Sequence, residues 1–247
     1  MCGRFAMDEK TNDLIEAFVL DGNDYRDWAP SFSISPTDVV PIIRERRSSS
    51  TGEVTRRVEP AVWDFRPSFI TEPKRPQFNA RIETVATSGM WKGALVGGRC
   101  IVPMRGYYEW TERYVAGSAK PVKIPYFIHG EAPLLAAAGL ATARKVPSAS
   151  GELEWEVSTA IITREARDAS GEVHDRMPAF LEPSMYDRWL DTDKLADDGA
   201  RDELLAMLDS VSTDVASTIT AYEVDRRVNN SRTADPQDAS LIEPLAS

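Results

Sequence analysis

The 247-residue chain predicts an α+β fold, a single domain over 1–247 with a β-rich core and short peripheral helices. Three observations carry that expectation. Strand-like segments follow one another with turn residues between them, whereas an α/β chain alternates strands with helices. The helical patterns are few and short. No linker-like stretch divides the chain, and its length suffices for one sizeable core.

Taken in order, "MDEKTNDLIEAFVL" has an acidic start and places Leu14, Ile15, Phe18 and Val19 at the spacing of an amphipathic helix. "DVVPIIRERR" and "EVTRRVEPAVW" flank the polar "RSSSTGE", which predicts a hairpin with a polar loop near 47–53. "RIETVATSGMW" reads as a short helix. Strands are expected at "RCIVP", "GYYEWTERYV", "PYFIHG", "PLLAAAGLATA" and "LEWEVSTAIIT". Short helices follow at "SMYDRWLD" and "RDELLAMLD", then a strand at "TITAYEV" and a loop-like acidic tail over 229–247.

Composition narrows the function. Hydrophobic residues make up 42% and charged residues 28%, ordinary for a folded protein. No apolar run reaches the ~18–20 residues that span a bilayer, and no signal-peptide pattern opens the chain, so a cytoplasmic location is expected. Two cysteines allow one disulfide at most, which an intracellular location disfavours. Two histidines and no Cys/His cluster leave no metal site and imply no cofactor. Net charge is −10, which by itself argues against nucleic acid. Its distribution argues otherwise. Residues 44–105 hold 12 Lys/Arg against 6 Asp/Glu, a balance of +6, and residues 182–247 hold 6 against 15, a balance of −9.

Cys2 is the residue that raises the chemical question. Loss of Met1 would leave an amine of pKa ~7.7–8.0 beside a thiol of ~8.5 on one residue. Such a 1,2-aminothiol has a distinctive partner, an aldehyde. The amine forms an imine, the thiol adds to the imine carbon, and a five-membered thiazolidine closes with the advantage of an intramolecular attack. Arg4, two residues on, is placed to favour the thiolate or to hold an anion.

Other candidates carry an ordinary reading beside the functional one. His174, in "EVHDRMPAFL", is either a surface turn residue or a ring held by the turn before Pro178. Glu109, in "GYYEWTE", shares a strand face with Tyr107 and Thr111, while Tyr108 and Trp110 point the other way. It is either an outward strand glutamate or a desolvated acid–base group of raised pKa. Asn79 and Arg81, in "FNARIET", read as a helix cap and its neighbour, or as an orienting amide and a phosphate-binding guanidinium. Cys100, in "GRCIVP", reads as buried and structural.

Together, "MCGRF", "FNARIET", "GRCIVPMRGYYEW", "TREARDASGEVHDRMPAFL" and "VNNSR…LIEP" occur in an order that closely resembles the SOS-response-associated peptidase (SRAP) family over nearly the whole chain. The resemblance implies a sensor and shield of abasic sites in single-stranded DNA. In it Cys2, exposed by self-removal of Met1, forms a thiazolidine crosslink with the ring-opened sugar aldehyde. Glu109 then assists proton transfer, His174 holds and protonates the sugar, and Asn79 orients the Cys2 amine. Arg4 and Arg81 grip phosphates, Trp63 contacts bases, and Thr163 and Pro36 join the DNA contacts. Crosslink reversal or abasic-site lyase activity is compatible with the same residues. Three positions depart from the family pattern: Ser33 in "FSISPT" stands for an asparagine, and in "WDFRPSF" Asp64 replaces a glycine and Phe69 a tryptophan.

Two rivals remain open at this point. One is a thiol peptidase acting on other proteins, with Cys2, His174 and Asn79 or Glu109 as its set. The other is a non-covalent reader of single-stranded or modified DNA. The expected partner is single-stranded DNA with abasic sites, met at the nucleoid by a monomer without membrane or metal.

Overall fold

The computed structural model describes residues 2–8, 15, 29–70, 75–115, 117 and 119–245. The first strands are β1 (Phe5–Met7), β2 (Ser31–Ile34), β3 (Val39–Arg47), β4 (Val54–Val62) and β5 (Asn79–Arg81). Helix α1 (Lys92–Gly97) leads into β6 (Arg99–Met104), β7 (Gly106–Arg113), β8 (Val122–Gly130), β9 (Leu135–Pro147) and β10 (Leu153–Glu165). Then come α2 (Asp168–Val173), β11 (Arg176–Pro178), β12 (Phe180–Leu181), α3 (Tyr186–Leu190), α4 (Asp198–Ala216) and β13 (Ile219–Glu223). The consecutive-strand expectation is met.

Two sheets make the core. One runs β13–β8–β7–β1–β2. In the other, β10–β4–β3–β6–β9 are neighbours in sequence, and a long antiparallel β9–β10 ladder closes them into a barrel. The closing hairpin has 13 residues in each strand, and its far end rises beyond the barrel. β5 lies parallel along β10, Ile161 opposite Asn79 and Thr163 opposite Arg81, and β11 pairs antiparallel from Thr163 onward, Thr163 opposite Pro178 and Glu165 opposite Arg176. The carboxyl end of β10 therefore gathers two short strands that both carry candidate residues.

Local chemistry accounts for most boundaries. The loop between β3 and β4 closes through Ser48 N to Glu53 O at 2.8 Å, with Gly52 at φ 75° in the left-handed region that glycine tolerates. Asp197 caps α4 by accepting from Ala200 N at 2.8 Å. Leu204, Leu208, Ser212 and Ala216, four residues apart, form its buried stripe. The helix expected at "RIETVATSGMW" is corrected: residues 82–91 are successive turns, and α1 begins only at Lys92. Thr84 and Thr87 turn their hydroxyls back onto the carbonyls of Arg81 and Thr84, and such bonds compete with a helical ladder. Of the helix read over 7–20, Met7 instead ends β1, and beyond Asp8 only Ile15, which is buried, is among the described residues.

Candidate active site

The chain start is held at the junction of the two sheets. Phe5 pairs with Tyr107 across the β1–β7 ladder, Tyr108 N donates to Arg4 O at 2.9 Å, and Arg105 N donates to Ala6 O at 2.7 Å. Phe5 is wholly buried, edge-on to Trp63 with ring centroids 4.8 Å apart. That clamp places Cys2, also buried, directly beside β5. Asn79 Nδ2 donates to the Cys2 carbonyl at 2.8 Å. Among the described residues its Oδ1 is buried without a hydrogen-bond partner. Arg81, two residues along the strand, shares the face of Asn79 and is exposed.

The opposite wall comes from β7 and the segment after β10. Alternation sends Tyr107 and Glu109 toward Cys2, while Tyr108 faces away into a second cluster with Phe127, Val228 and Leu241. The Tyr107 hydroxyl meets Ser170 Oγ at 2.8 Å, which fastens α2 over the strand. His174 ends α2, its N–H donating to Ser170 O at 2.9 Å, and its Nε2 stands 3.9 Å from Glu109 Oε2. On the other ring nitrogen, Arg176 N donates to Nδ1 at 3.0 Å. An Nδ1 that accepts must be unprotonated, so the neutral ring carries its proton on Nε2, toward Glu109. Asp175 Oδ1, 2.9 Å from the same Nδ1, becomes an ion-pair partner only when the ring is charged.

Electrostatics follow from enclosure. Burial first, then the nearby Glu109 charge, pushes the Cys2 thiol well above its ordinary value, so it is protonated at neutral pH. Glu109 is 3% exposed, and burial lifts its carboxyl to about 7 against the pull of the terminal amino group. Burial and that same amino charge lower His174. The cluster thus holds a neutral nucleophile, a carboxyl poised to give or take a proton at pH 7, and a neutral imidazole donor. Among the described residues no group of three or more His, Cys, Asp or Glu side chains could hold a metal.

Cys2, Asn79, Glu109 and His174 are therefore brought together, with Arg81 exposed at the edge. Pro36 is half-buried on the wall of a separate cavity of about 570 Å³ that it shares with Ser33 and Asp38. Three residues expected to contact DNA lie inside the fold. Trp63 is fully buried, its indole N–H donating to Phe78 O at 3.0 Å, and offers no ring face to a base. Thr163 is likewise buried, its hydroxyl turned to Ala80 O at 3.5 Å. Arg4 is 8% exposed, and its Nη1 is committed to Ser33 Oγ at 2.9 Å and Val228 O at 3.0 Å. It ties the chain start to the far end of the domain, and Ser33 is part of that tie. Asp64 is buried and neutralised by Arg66, whose Nε donates to it at 2.7 Å. Arg4→Ala leaves the Val228 carbonyl without this donor, at about 1–3 kcal/mol. At roughly 2–4 °C per kcal/mol for a domain of this size, thermal unfolding should show a drop of several degrees.

The basic segment is also not an open stripe. Arg44 and Arg46 share Glu59, Arg47 meets Asp193, and Arg56 meets Glu45 and Asp187. Arg99 spends its guanidinium on the carbonyls of Leu95, Val96, Trp189 and Asp191. Part of the acidic C-terminal third thus answers the basic middle within the fold.

Arg176 is a contributor that residue-by-residue reading missed. Its guanidinium grips both Glu83 oxygens, at 2.5 and 3.0 Å, and donates to Thr163 O at 2.7 Å. It locks "HDRMP" against "FNARIET" and so fixes His174 relative to Asn79. Two motifs with one opposite charge each were the available signal.

These elements define a β-barrel protein whose second residue lies enclosed beside a buried carboxyl and an imidazole. Its family follows from comparison: the SOS response associated peptidase (SRAP) model matches residues 1–231, and the chain belongs to that family. It is 27% identical over 241 residues to the abasic site processing protein YoqW of Bacillus subtilis, covering 96% of this chain and 98% of that one. YedK of Escherichia coli, with the same description, is 27% identical over 252 residues, covering 99% and 100%. HMCES of Xenopus tropicalis, also an abasic site processing protein, is 26% identical, covering 98% of this chain and 78% of its own. A crystal structure of a Bacteroides thetaiotaomicron protein shares the fold with a TM-score of 0.72 at 20% identity, covering 99% and 100% of the two chains. A phage-related protein of Bordetella bronchiseptica superposes with a TM-score of 0.61 at 26% identity, covering 91% and 95%.

Proposed function

We propose that this protein processes abasic sites in single-stranded DNA by forming a thiazolidine crosslink through Cys2 after removing its own Met1. The observation that carries the reading is the meeting of Cys2 with Asn79, Glu109 and His174 in one enclosed place. The curated descriptions of YoqW, YedK and HMCES support the substrate class.

Hydrolysis of the Met1–Cys2 bond releases methionine and unmasks the amine. That amine adds to the sugar aldehyde, and Glu109 in its acid form protonates the departing hydroxyl, which leaves as water and gives an iminium that keeps one N–H. Glu109, now a carboxylate, takes the thiol proton and returns to its acid form, while the sulfur adds to the iminium carbon and the C=N electron pair moves onto the nitrogen. The net change is loss of a single water. A carboxyl near 7 serves both halves, and a protonated thiol requires such a base. His174, with its proton on Nε2, donates to the opened sugar, Asn79 orients the Cys2 backbone, and Arg81 holds a flanking phosphate.

A thiol peptidase reading is disfavoured by the same electrostatics, because a peptidase cysteine is activated by a depressed pKa and this one is raised. Inserting an alanine between Met1 and Cys2 tests the proposal. The thiol survives but the 1,2-aminothiol is lost, so the stable adduct should vanish. An adduct of wild-type yield would show that the α-amine is not required and would overturn the mechanism.

A further inference from the structure

We propose that the mouth of the barrel and the β9–β10 hairpin that rises from it form a second nucleic-acid contact, a pocket with an aromatic and cationic extension that takes nucleotides of the strand beside the lesion. The inference rests on the DNA reading of the Cys2 site for its ligand class and adds a surface which that site does not use.

The pocket encloses about 450 Å³ between α1, the loop before β5 and the middle of β9, with Arg44, Phe69, Ala143 and Lys194 on its walls. Gly89, Gly93 and Gly97 line it too, and a side chain added at any of them would meet nothing within 4 Å. Among the described residues Arg44 Nη1 is buried without a hydrogen-bond partner, 3.8 Å from a Glu59 that Arg46 also uses. Asp193, the nearby acid, is engaged by Arg47.

Beyond Ala143 the β9–β10 hairpin extends the same face upward. Lys145 sits opposite Trp155, its ammonium 5.5 Å from the ring, and Trp155 is 68% exposed. Phe69, on the pocket wall, is 62% exposed. Alternation keeps the Arg144–Glu156 ion pair on the other face of the hairpin. A chain of net charge −10 thus presents cations interleaved with exposed aromatics, the means by which proteins stack and track a single strand. From Val157 to Thr163, where the Cys2 site begins, six strand residues span about 20 Å at ~3.3 Å each, a reach of a few nucleotides.

The test is fluorescence anisotropy with a dye-labelled oligothymidylate that contains no abasic site, run on the full-length protein and repeated in Cys2→Ala. Trp155→Ala should weaken binding about tenfold, within the range of one base–aromatic stack. Lys145→Glu should lower the slope of log K against log salt by about 0.7 or more. Both residues are exposed, so neither change threatens folding. Wild-type affinity and slope in both variants would overturn the proposal. Equal competition by free thymidine monophosphate and by the strand would also overturn it, by assigning the pocket to free nucleotides. Variant-sensitive binding in a protein that never forms an adduct would leave this inference standing and sink the Cys2 reading alone.

Discussion

Replacing Cys2 by alanine is expected to abolish the denaturant-resistant adduct with abasic single-stranded DNA, a loss to background on a denaturing gel. Alanine keeps the α-amine, so a reversible imine still forms and borohydride should trap it. What disappears is the sulfur that closes the ring. The comparison separates three readings at once, because a non-covalent reader would show no adduct in either protein, and a surface lysine would give the same adduct in both. Cys2 is buried, and its Sγ makes a long contact of 3.9 Å to Arg4 O. Its truncation removes one small atom from the core, so folding should persist and binding of undamaged DNA should stay near wild type.

Glu109→Gln carries the second large effect, and it acts on rate and stability in opposite directions. Glutamine keeps the shape but neither gives nor takes the proton, so adduct formation should slow by about 10²–10⁴, the usual worth of a positioned acid–base group. The wild-type rate should fall as pH rises above about 7, where the acid form of Glu109 is depleted, and the variant should lose that limb. Stability follows from linkage. The carboxyl is lifted from 4.5 to about 7 on folding, so the native state binds more protons than the unfolded chain across that window. Wild-type stability therefore declines as pH rises through it, and is lowest with respect to this group above pH 7. Glutamine carries no charge to desolvate, so at pH 8 the variant should be more stable by roughly 3 kcal/mol at most, at ~1.4 kcal/mol per unit. Chemical denaturation at pH 5 and pH 8 checks the sign. A variant of wild-type rate would remove Glu109 from the chemistry.

Where local pattern decides a residue's place, reading the chain succeeded. Period-two alternation put Tyr107 and Glu109 on one face and Tyr108 on the other, and the two ladders of β7 keep it so. The polar "RSSSTGE" between two strand patterns made its hairpin, and Pro178 leads into an extended segment as expected. Cys2 was conspicuous because position, not neighbours, gives it its chemistry.

Distant partners were not legible. The resemblance implied that Trp63 contacts bases, yet Phe5 and Phe78 close over it from other parts of the chain. Arg4 looked like a phosphate grip, and its partner is the carbonyl of Val228, 224 residues on. The charge halves looked like separate surfaces, and Arg47–Asp193 and Arg56–Asp187 join them. In each case the deciding contact is long-range, and composition carries no register for it. Trp155 and the barrel mouth were missed for the converse reason: a strand tryptophan reads as core until the hairpin is seen to outgrow the barrel.

The most direct measurement is one intact-mass spectrum of the protein after incubation with a single-stranded oligonucleotide bearing one abasic site. The unreacted species should lack Met1, and the product should weigh protein plus DNA less one water, a species absent from Cys2→Ala. A protein without Met1 that yields no such species would contradict the crosslinking mechanism outright.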